Sequence, residues 1–302
     1  MKKPNLFILG APKCGTTAMA GWLAGHPQVF FSPTKEPNYF SYDFGERSYN
    51  TLANYERLFQ DASDAHNYVG EASTFYLFSR TAVPAILEYA ENPKFLVMVR
   101  NPVEMAYSLH EQTFFNGDED QPDFDKAWEL QSSRSYGAYL PKACIDPQIL
   151  LYGRLCSLGE QLQRLFQNVP REKVHVVNLE YIGKDARREY QAVLEFLKLP
   201  DDGRMDFSVV NSAKVRNHPL LWKFIRRSNR VFRAAGFPHI KIGITAFFSE
   251  HDRSERPRPA LGDDMRLRLY RYFRDDIKLL EELTGWDLSS WKVEYIKSDS
   301  TS

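Results

Sequence analysis

A lysine held inside a short, glycine-bounded loop is an arrangement that binds anions, and Gly10–Thr17 (GAPKCGTT) has it. Gly10 and Gly15 bound the loop, Lys13 sits near its middle, and Thr16 and Thr17 follow. The backbone N–H groups of such a loop, with the N-terminus of a following helix, converge on a bound phosphate. The spacing approaches the nucleotide-binding pattern G-x-x-x-x-G-K-[ST], with Gly10, Gly15 and Thr17 on its two glycines and final hydroxyl. Thr16 stands where that pattern has its lysine, and the lysine has moved to position 13. In the ordinary pattern the lysine reaches the β- and γ-phosphates and the hydroxyl holds Mg²⁺. The altered order weakens a triphosphate clamp and puts a cation over a shorter anionic group. Lys13 can neutralise charge that grows on a bridging oxygen. Thr16, Thr17 and the loop amides, that of Cys14 included, can hold a single phosphate. No metal is needed for this, and the sequence has no H-E-x-x-H, no C-x-x-C and no dense Asp/Asn loop.

Elements must hold that loop in place. Leu6–Leu9 is a continuous apolar run that suits a buried strand, so the chain begins as strand 5–10, loop 11–15 and helix 16–25. Pro27 stops the helix through its effect on the residue before it. Further strands are expected at 29–31, at 68–71 with Glu71 at its end, at 94–99 and at 174–179. Lys94–Val99 (KFLVMV) is the strongest strand signal and runs into Arg100-Asn101-Pro102. Pro102 then opens a helix through about Phe115, since proline is well tolerated at the first helical position. Ser108 lies two turns along it. Apolar spacing predicts more helices at 50–59, 83–89, 124–131, 149–166, 187–199 and 261–283. Asn116–Asp125 is acidic and reads as a surface loop. Strands alternating with helices imply a parallel sheet with crossover helices, an α/β fold of P-loop-like type. Such sheets bind ligands beyond the carboxyl ends of their strands, which is where Arg100 falls.

Composition narrows the function classes. The 302 residues are 43% hydrophobic and 14% aromatic, enough for a sizeable core. Lys+Arg and Asp+Glu are both 39, and this balance disfavours a dedicated nucleic-acid binder. Cys14, Cys144 and Cys156 are too few for a disulfide framework and point to a reducing compartment. Neither a signal peptide nor a membrane span is evident, so the expected location is the cytoplasm. Leu220–Phe232 reads as a basic amphipathic helix with Arg233 at its end. It is expected as a surface helix or part of a segment at about 201–260 that covers the site, with contact to an anionic partner or membrane surface as the sharper alternative.

Several of these stretches resemble the sulfotransferases that use 3′-phosphoadenosine 5′-phosphosulfate (PAPS). Pro12–Thr17 resembles their 5′-phosphosulfate loop, and Arg100–Ser108 (RNPVEMAYS) their 3′-phosphate motif, with its arginine at a strand end and serine eight residues on. Leu261–Trp291 resembles the last helix and closing tryptophan of bacterial members. Lys35–Phe40 (KEPNYF) is similar to the acidic motif of the heparan sulfate N- and 3-O-sulfotransferase branch. The resemblance implies a single domain over 1–302, PAPS as sulfuryl donor, PAP as product and Glu36 as general base. It implies 3′-phosphate contacts from Arg100, Ser108 and one of Arg253, Arg256 and Arg258, with Arg256 as first choice. The branch commonly has Gly-Glu-Lys-Ser-Pro where this chain has Gly70-Glu71-Ala72-Ser73-Thr74, so Ala72 replaces a lysine associated with the site. The physical chemistry agrees. Sulfuryl transfer, like phosphoryl transfer, depends on positioning and charge stabilisation, and an acceptor must lose a proton, which a carboxylate can take. His110 is a second possible base. The implied acceptor is a hydroxyl, less readily an amine, of a small natural product or carbohydrate, and a homo-oligomer is compatible with the sequence. Two other readings remain open here: a P-loop nucleotide kinase or NTPase, and a PAP-binding relative without turnover.

Overall fold

In the computed structural model, five parallel strands form one sheet in the order β2-β3-β1-β4-β5. They are β1 (Leu6–Ile8), β2 (Val29–Phe31), β3 (Tyr68–Ala72), β4 (Lys94–Val99) and β5 (Val174–Asn178). The structure describes residues 2–45, 47, 49–207, 214–216, 253–255 and 260–292, with only the backbone for 214–216 and 253–255. All of β1 and Phe95–Val99 of β4 are fully buried, which is why these strands read as unbroken apolar runs instead of alternating ones. The register sets Leu6 beside both Gly70 and Lys94. From β1 the chain builds β2 and β3 on one side and then crosses to β4 and β5 on the other. A crevice therefore opens at the carboxyl end of β1, the switch point where such sheets bind ligands.

The helices are α1 (Thr16–Ala24), α2 (Leu52–Glu56), α3 (Ala82–Tyr89), α4 (Pro102–Asn116), α5 (Phe124–Glu129), α6 (Gln131–Ser135), α7 (Tyr152–Cys156), α8 (Leu158–Asn168), α9 (Leu179–Lys184), α10 (Ala186–Leu197) and α11 (Asp263–Thr284). Pro102 is the first residue of α4, and the Asn101 side chain caps it by accepting from the Val103 amide. Trp22 of α1 packs edge-on to Tyr190 of α10 at 6.4 Å. α11 lies along α8 and α4 and ends near the buried Trp291.

Three expectations need correction. The helix expected over 50–59 ends early, at Glu56, and continues as a 3₁₀ turn over Arg57–Phe59. The one expected over 149–166 is broken into a 3₁₀ turn (Pro147–Leu150), α7 and α8. The α7–α8 break at Ser157 is held from outside. Asp276 of α11 accepts from the amides of Gly159 and Glu160, both at 2.9 Å, and so caps the start of α8. The acidic stretch 116–125 is not a surface loop throughout. Glu119 is buried and accepts both terminal nitrogens of Arg134, at 2.5 and 2.7 Å, and the Tyr152 hydroxyl at 2.7 Å. A carboxylate goes inside when a fork of guanidinium donors meets it there.

A second, two-stranded antiparallel pair joins β6 (Lys214–Arg216) to β7 (Arg253–Glu255). The rest of the expected covering segment beyond Phe207, including the basic stretch at 220–233 and Arg256 and Arg258, lies outside the described residues apart from Ala260. Among the described residues, no helix is long and apolar enough to cross a membrane.

Candidate active site

The loop after β1 stays tied to the sheet as it turns. Ala11 donates to the Met98 carbonyl at 2.8 Å, and Gly10 accepts from the Met98 amide at 2.7 Å. Gly10 takes φ 134°, and a Cβ there would lie 2.3 Å from the Thr74 carbonyl oxygen. Only glycine fits that close approach and that backbone. Lys13 adopts the left-handed region at φ 65° and Gly15 at φ 85°. Gly15 is also the N-cap of α1 and supplies no side-chain cap, so the first amides of α1 face the loop without a competing oxygen from that position. With the helix dipole behind them they favour an anion.

Two of the expected residues meet here directly. Arg100, just past β4, donates through Nη1 to the Lys13 carbonyl at 3.3 Å, and Lys13 donates through Nζ to Gln112 Oε1 of α4 at 3.1 Å. Gln112 was not singled out by sequence. One signal for it existed: Met105, Ser108 and Gln112 are spaced i, i+3, i+7, one face of a helix. Met105 lies on that face with its sulfur 3.7 Å from the Cys14 sulfur, so the face that carries Ser108 is turned to the loop at both ends. Cys14 is fully buried, and burial raises its thiol far above the usual range, leaving it an inert packing group.

Glu36 comes to the same crevice from the segment after β2. Lys35 connects it to the loop, donating to the Thr17 hydroxyl and pairing with Glu36 Oε1 at 3.2 Å. The Glu36 backbone is anchored by its amide to the Ala72 carbonyl at 2.9 Å. Lys13, Thr17, Lys35, Glu36 and Arg100 thus form one connected set around the carboxyl end of β1. His110 is not part of it. Two residues beyond Ser108, it points roughly 200° around the helix. It is buried among Phe124 and Tyr152, with Nε2 2.9 Å from the Gln121 carbonyl, and burial lowers its pKa. Arg253 is described only as backbone in β7.

A second carboxylate borders the set. Glu180, at the start of α9, accepts from the Asn101 amide at 3.2 Å, and burial raises its pKa while the nearby Arg100 opposes that rise. Its Oε2 is buried without a partner among the described residues. Glu180 directly follows the stretch 174–179 expected as a strand, and nothing local marked it as part of a site.

Comparison with known proteins joins this geometry to a family. The family described as "Sulfotransferase domain" matches residues 3–229. Human heparan sulfate glucosamine 3-O-sulfotransferase 3B1 is 27% identical over 198 residues, covering 65% of this chain and 46% of that protein. The membrane-associated sulfotransferase kil1 of Dictyostelium discoideum is 30% identical over 109 residues, covering 35% of this chain and 22% of that one. The chain therefore spans less than half the length of these two relatives. A solved sulfotransferase from Alicyclobacillus acidocaldarius superposes with a TM-score of 0.71 at 25% identity, over 96% of this chain and 99% of that one. With a phosphate-type loop at the switch point of a parallel sheet, and a family match across most of its length, the chain belongs to the sulfotransferase domain family.

Proposed function

We propose that the chain transfers a sulfuryl group from PAPS to a hydroxyl of a small natural product or carbohydrate, with Glu36 as general base. PAPS supplies the sulfuryl group and a 5′-phosphate as leaving group. The loop amides of Cys14–Thr17, the α1 N-terminus and Lys13 suit that phosphate, on a loop whose glycines let the chain pass close to Thr74 and Leu179. Arg100 and Ser108 fit the 3′-phosphate. Lys13 answers charge that develops at the departing oxygen. Glu36 takes the acceptor's proton, and Lys35 beside it supplies a cation close to both the donor cradle and the base. Residues 1–302 act on this reading as one domain, in line with the whole-length similarity to the Alicyclobacillus protein. The carbohydrate alternative draws on the 3-O-sulfotransferase named above.

The observation that carries the proposal is the Lys35 bridge, which sets the carboxylate beside the anion loop although 18 residues separate Lys35 from Thr17. Two measurements test it. PAP without Mg²⁺ is expected to raise the melting temperature more than ATP with Mg²⁺. Sulfur-35 from labelled PAPS is expected on a hydroxylated acceptor from a metabolite extract. Stabilisation by ATP and Mg²⁺ alone would return the chain to the nucleotide kinases, and PAP binding with no labelled product from any acceptor would make it a binding protein.

A further inference from the structure

The segment that carries Glu36 is an unusual piece of backbone. Glu36 and Asn38 both adopt the left-handed region, at φ 56° and 52°, and neither is glycine. Such a conformation persists only where the surroundings over-determine it. Here the amides of Glu36, Asn38 and Phe40 are all anchored on residues 72–76. The Glu36 amide is held by the Ala72 carbonyl at 2.9 Å, the Asn38 amide by the Ser73 hydroxyl at 3.1 Å and the Phe40 amide by the Tyr76 hydroxyl at 3.3 Å. The Tyr39 ring stacks on Tyr55, with centroids 4.6 Å apart and planes 14° from parallel.

Ser73, Tyr76 and Tyr55 have one thing in common: each donates its hydroxyl proton to Glu71. Ser73 Oγ lies 2.7 Å from Oε2, and Tyr55 and Tyr76 lie 2.8 and 3.0 Å from Oε1. Glu71 is fully buried, and no cation is paired with it among the described residues. An ionised carboxylate only accepts. It therefore draws all three hydroxyl protons inward, and this turns the Ser73 and Tyr76 lone pairs outward, toward the amides of Asn38 and Phe40.

We propose that Glu71 is a positioning residue for catalysis: its buried carboxylate polarises two hydroxyl relays and a stacked tyrosine that together hold the Glu36 segment in its left-handed conformation beside the anion loop. The proposal rests on Glu36 being the base. Glu71 does not touch the donor site, so its effect passes through the segment and leaves PAP binding alone. An amide in its place presents a donor where all three neighbours already donate.

The test compares the wild type with Glu71→Gln, and with Ser73→Ala and Tyr76→Phe, which each cut one relay and decide the matter if Glu71→Gln does not fold. Amide hydrogen exchange is read at Asn38 and Phe40, with Ala11, bonded to the Met98 carbonyl, as internal reference. Turnover is read as sulfur-35 sulfate released from labelled PAPS to water, which requires no identified acceptor. Exchange at Asn38 and Phe40 is expected to be about 10-fold faster in Glu71→Gln and at the corresponding amide in each relay variant, with Ala11 unchanged. Turnover is expected to fall about 10-fold, with PAP affinity kept, and this loss should vanish when the change is made on top of Glu36→Gln. Unchanged exchange at both amides, or an equal loss of turnover with and without the Glu36→Gln substitution, would overturn the proposal. Full turnover in Glu36→Gln alone, with fast exchange in Glu71→Gln, would overturn the base reading and support Glu71 as the organiser of the segment.

Discussion

Lys13 and Glu36 have contrasting settings that explain what each is expected to do. Lys13 spans the crevice, with its carbonyl on Arg100 and its ammonium on Gln112, so its charge is placed before any ligand arrives. Preorganised charge of this kind acts most on the transition state. Lys13→Ala is expected to lower turnover by at least ~10²-fold, measured by label transfer from PAPS. Glu36→Gln keeps shape and removes the proposed base. It is expected to cost on the order of 10²–10⁴ in turnover, while calorimetry finds PAP affinity little changed. His110 makes the opposite prediction. Because it packs among Phe124 and Tyr152, His110→Ala should lower the melting temperature and leave the turnover of folded enzyme near wild type. A folded but inactive His110→Ala would move the base there.

At the scale of elements, the β1–α1 turn depends on the absence of one carbon. Gly10→Ala forces a methyl group to 2.3 Å from the Thr74 carbonyl oxygen on a backbone that L-residues avoid. Displacing that turn disturbs every amide after it. The expected outcome is a loss of ~1–3 kcal/mol in urea unfolding together with loss of stabilisation by PAP. The α4–α6–α7 wall is held by a different device. Arg134→Leu leaves the buried Glu119 carboxylate with the Asp120 and Gln121 amides and the Tyr152 hydroxyl as donors but no counter-charge, and should cost roughly 3–5 kcal/mol. Replacing both partners by leucine should cost less than replacing Arg134 alone, because no orphaned charge remains. Two of these features differed greatly in legibility. The turn was visible because glycine spacing after an apolar strand is a local signal. The burial of Glu119 was not, because its justification is an arginine on a helix 15 residues further along the chain.

For the molecule as a whole, the buried Glu71 and the half-buried Asp276 give stability a defined pH dependence. Burial pushes Glu71 up to about 7 and Asp276 up to about 6, from ordinary values of 4.5 and 3.8. The folded state therefore binds more protons than the unfolded state between each pair of values. Stability falls as pH rises through these windows, from about 4.5 to about 7 for Glu71. A shift of this size corresponds to about 3 kcal/mol for Glu71 by the time pH 7 is passed. Urea unfolding of Glu71→Gln across this range should show a flatter slope, with the variant gaining on the wild type as pH rises. An unchanged slope would mean that Glu71 titrates as an ordinary carboxylate. The same ionisation that costs stability is the one that aligns the hydroxyl relays, a trade of stability for an ordered site.

What the sequence determined by itself is the set of features whose causes are local: the buried β1 and β4 strands, the glycine-bounded loop with its displaced lysine, Arg100 at a strand end and the proline start of α4. Fully apolar strands, glycine-dependent turns and capped helix starts are recognisable because neighbouring residues enforce them. Tertiary structure decided what depends on distant partners. The apolar rhythm across 149–166 continues through Ser157, and only Asp276 on α11 shows that a new helix starts there. Neither the contact of Lys35 with Thr17 nor that of Lys13 with Gln112 had a local sequence cause, since each joins residues far apart in the chain. Glu71 read as a carboxylate ending a strand. Burial removed its water, hydroxyls from the turn just after its strand (Ser73, Tyr76) and from α2 (Tyr55) replaced that water, and only their convergence made it the centre of the segment that carries Glu36.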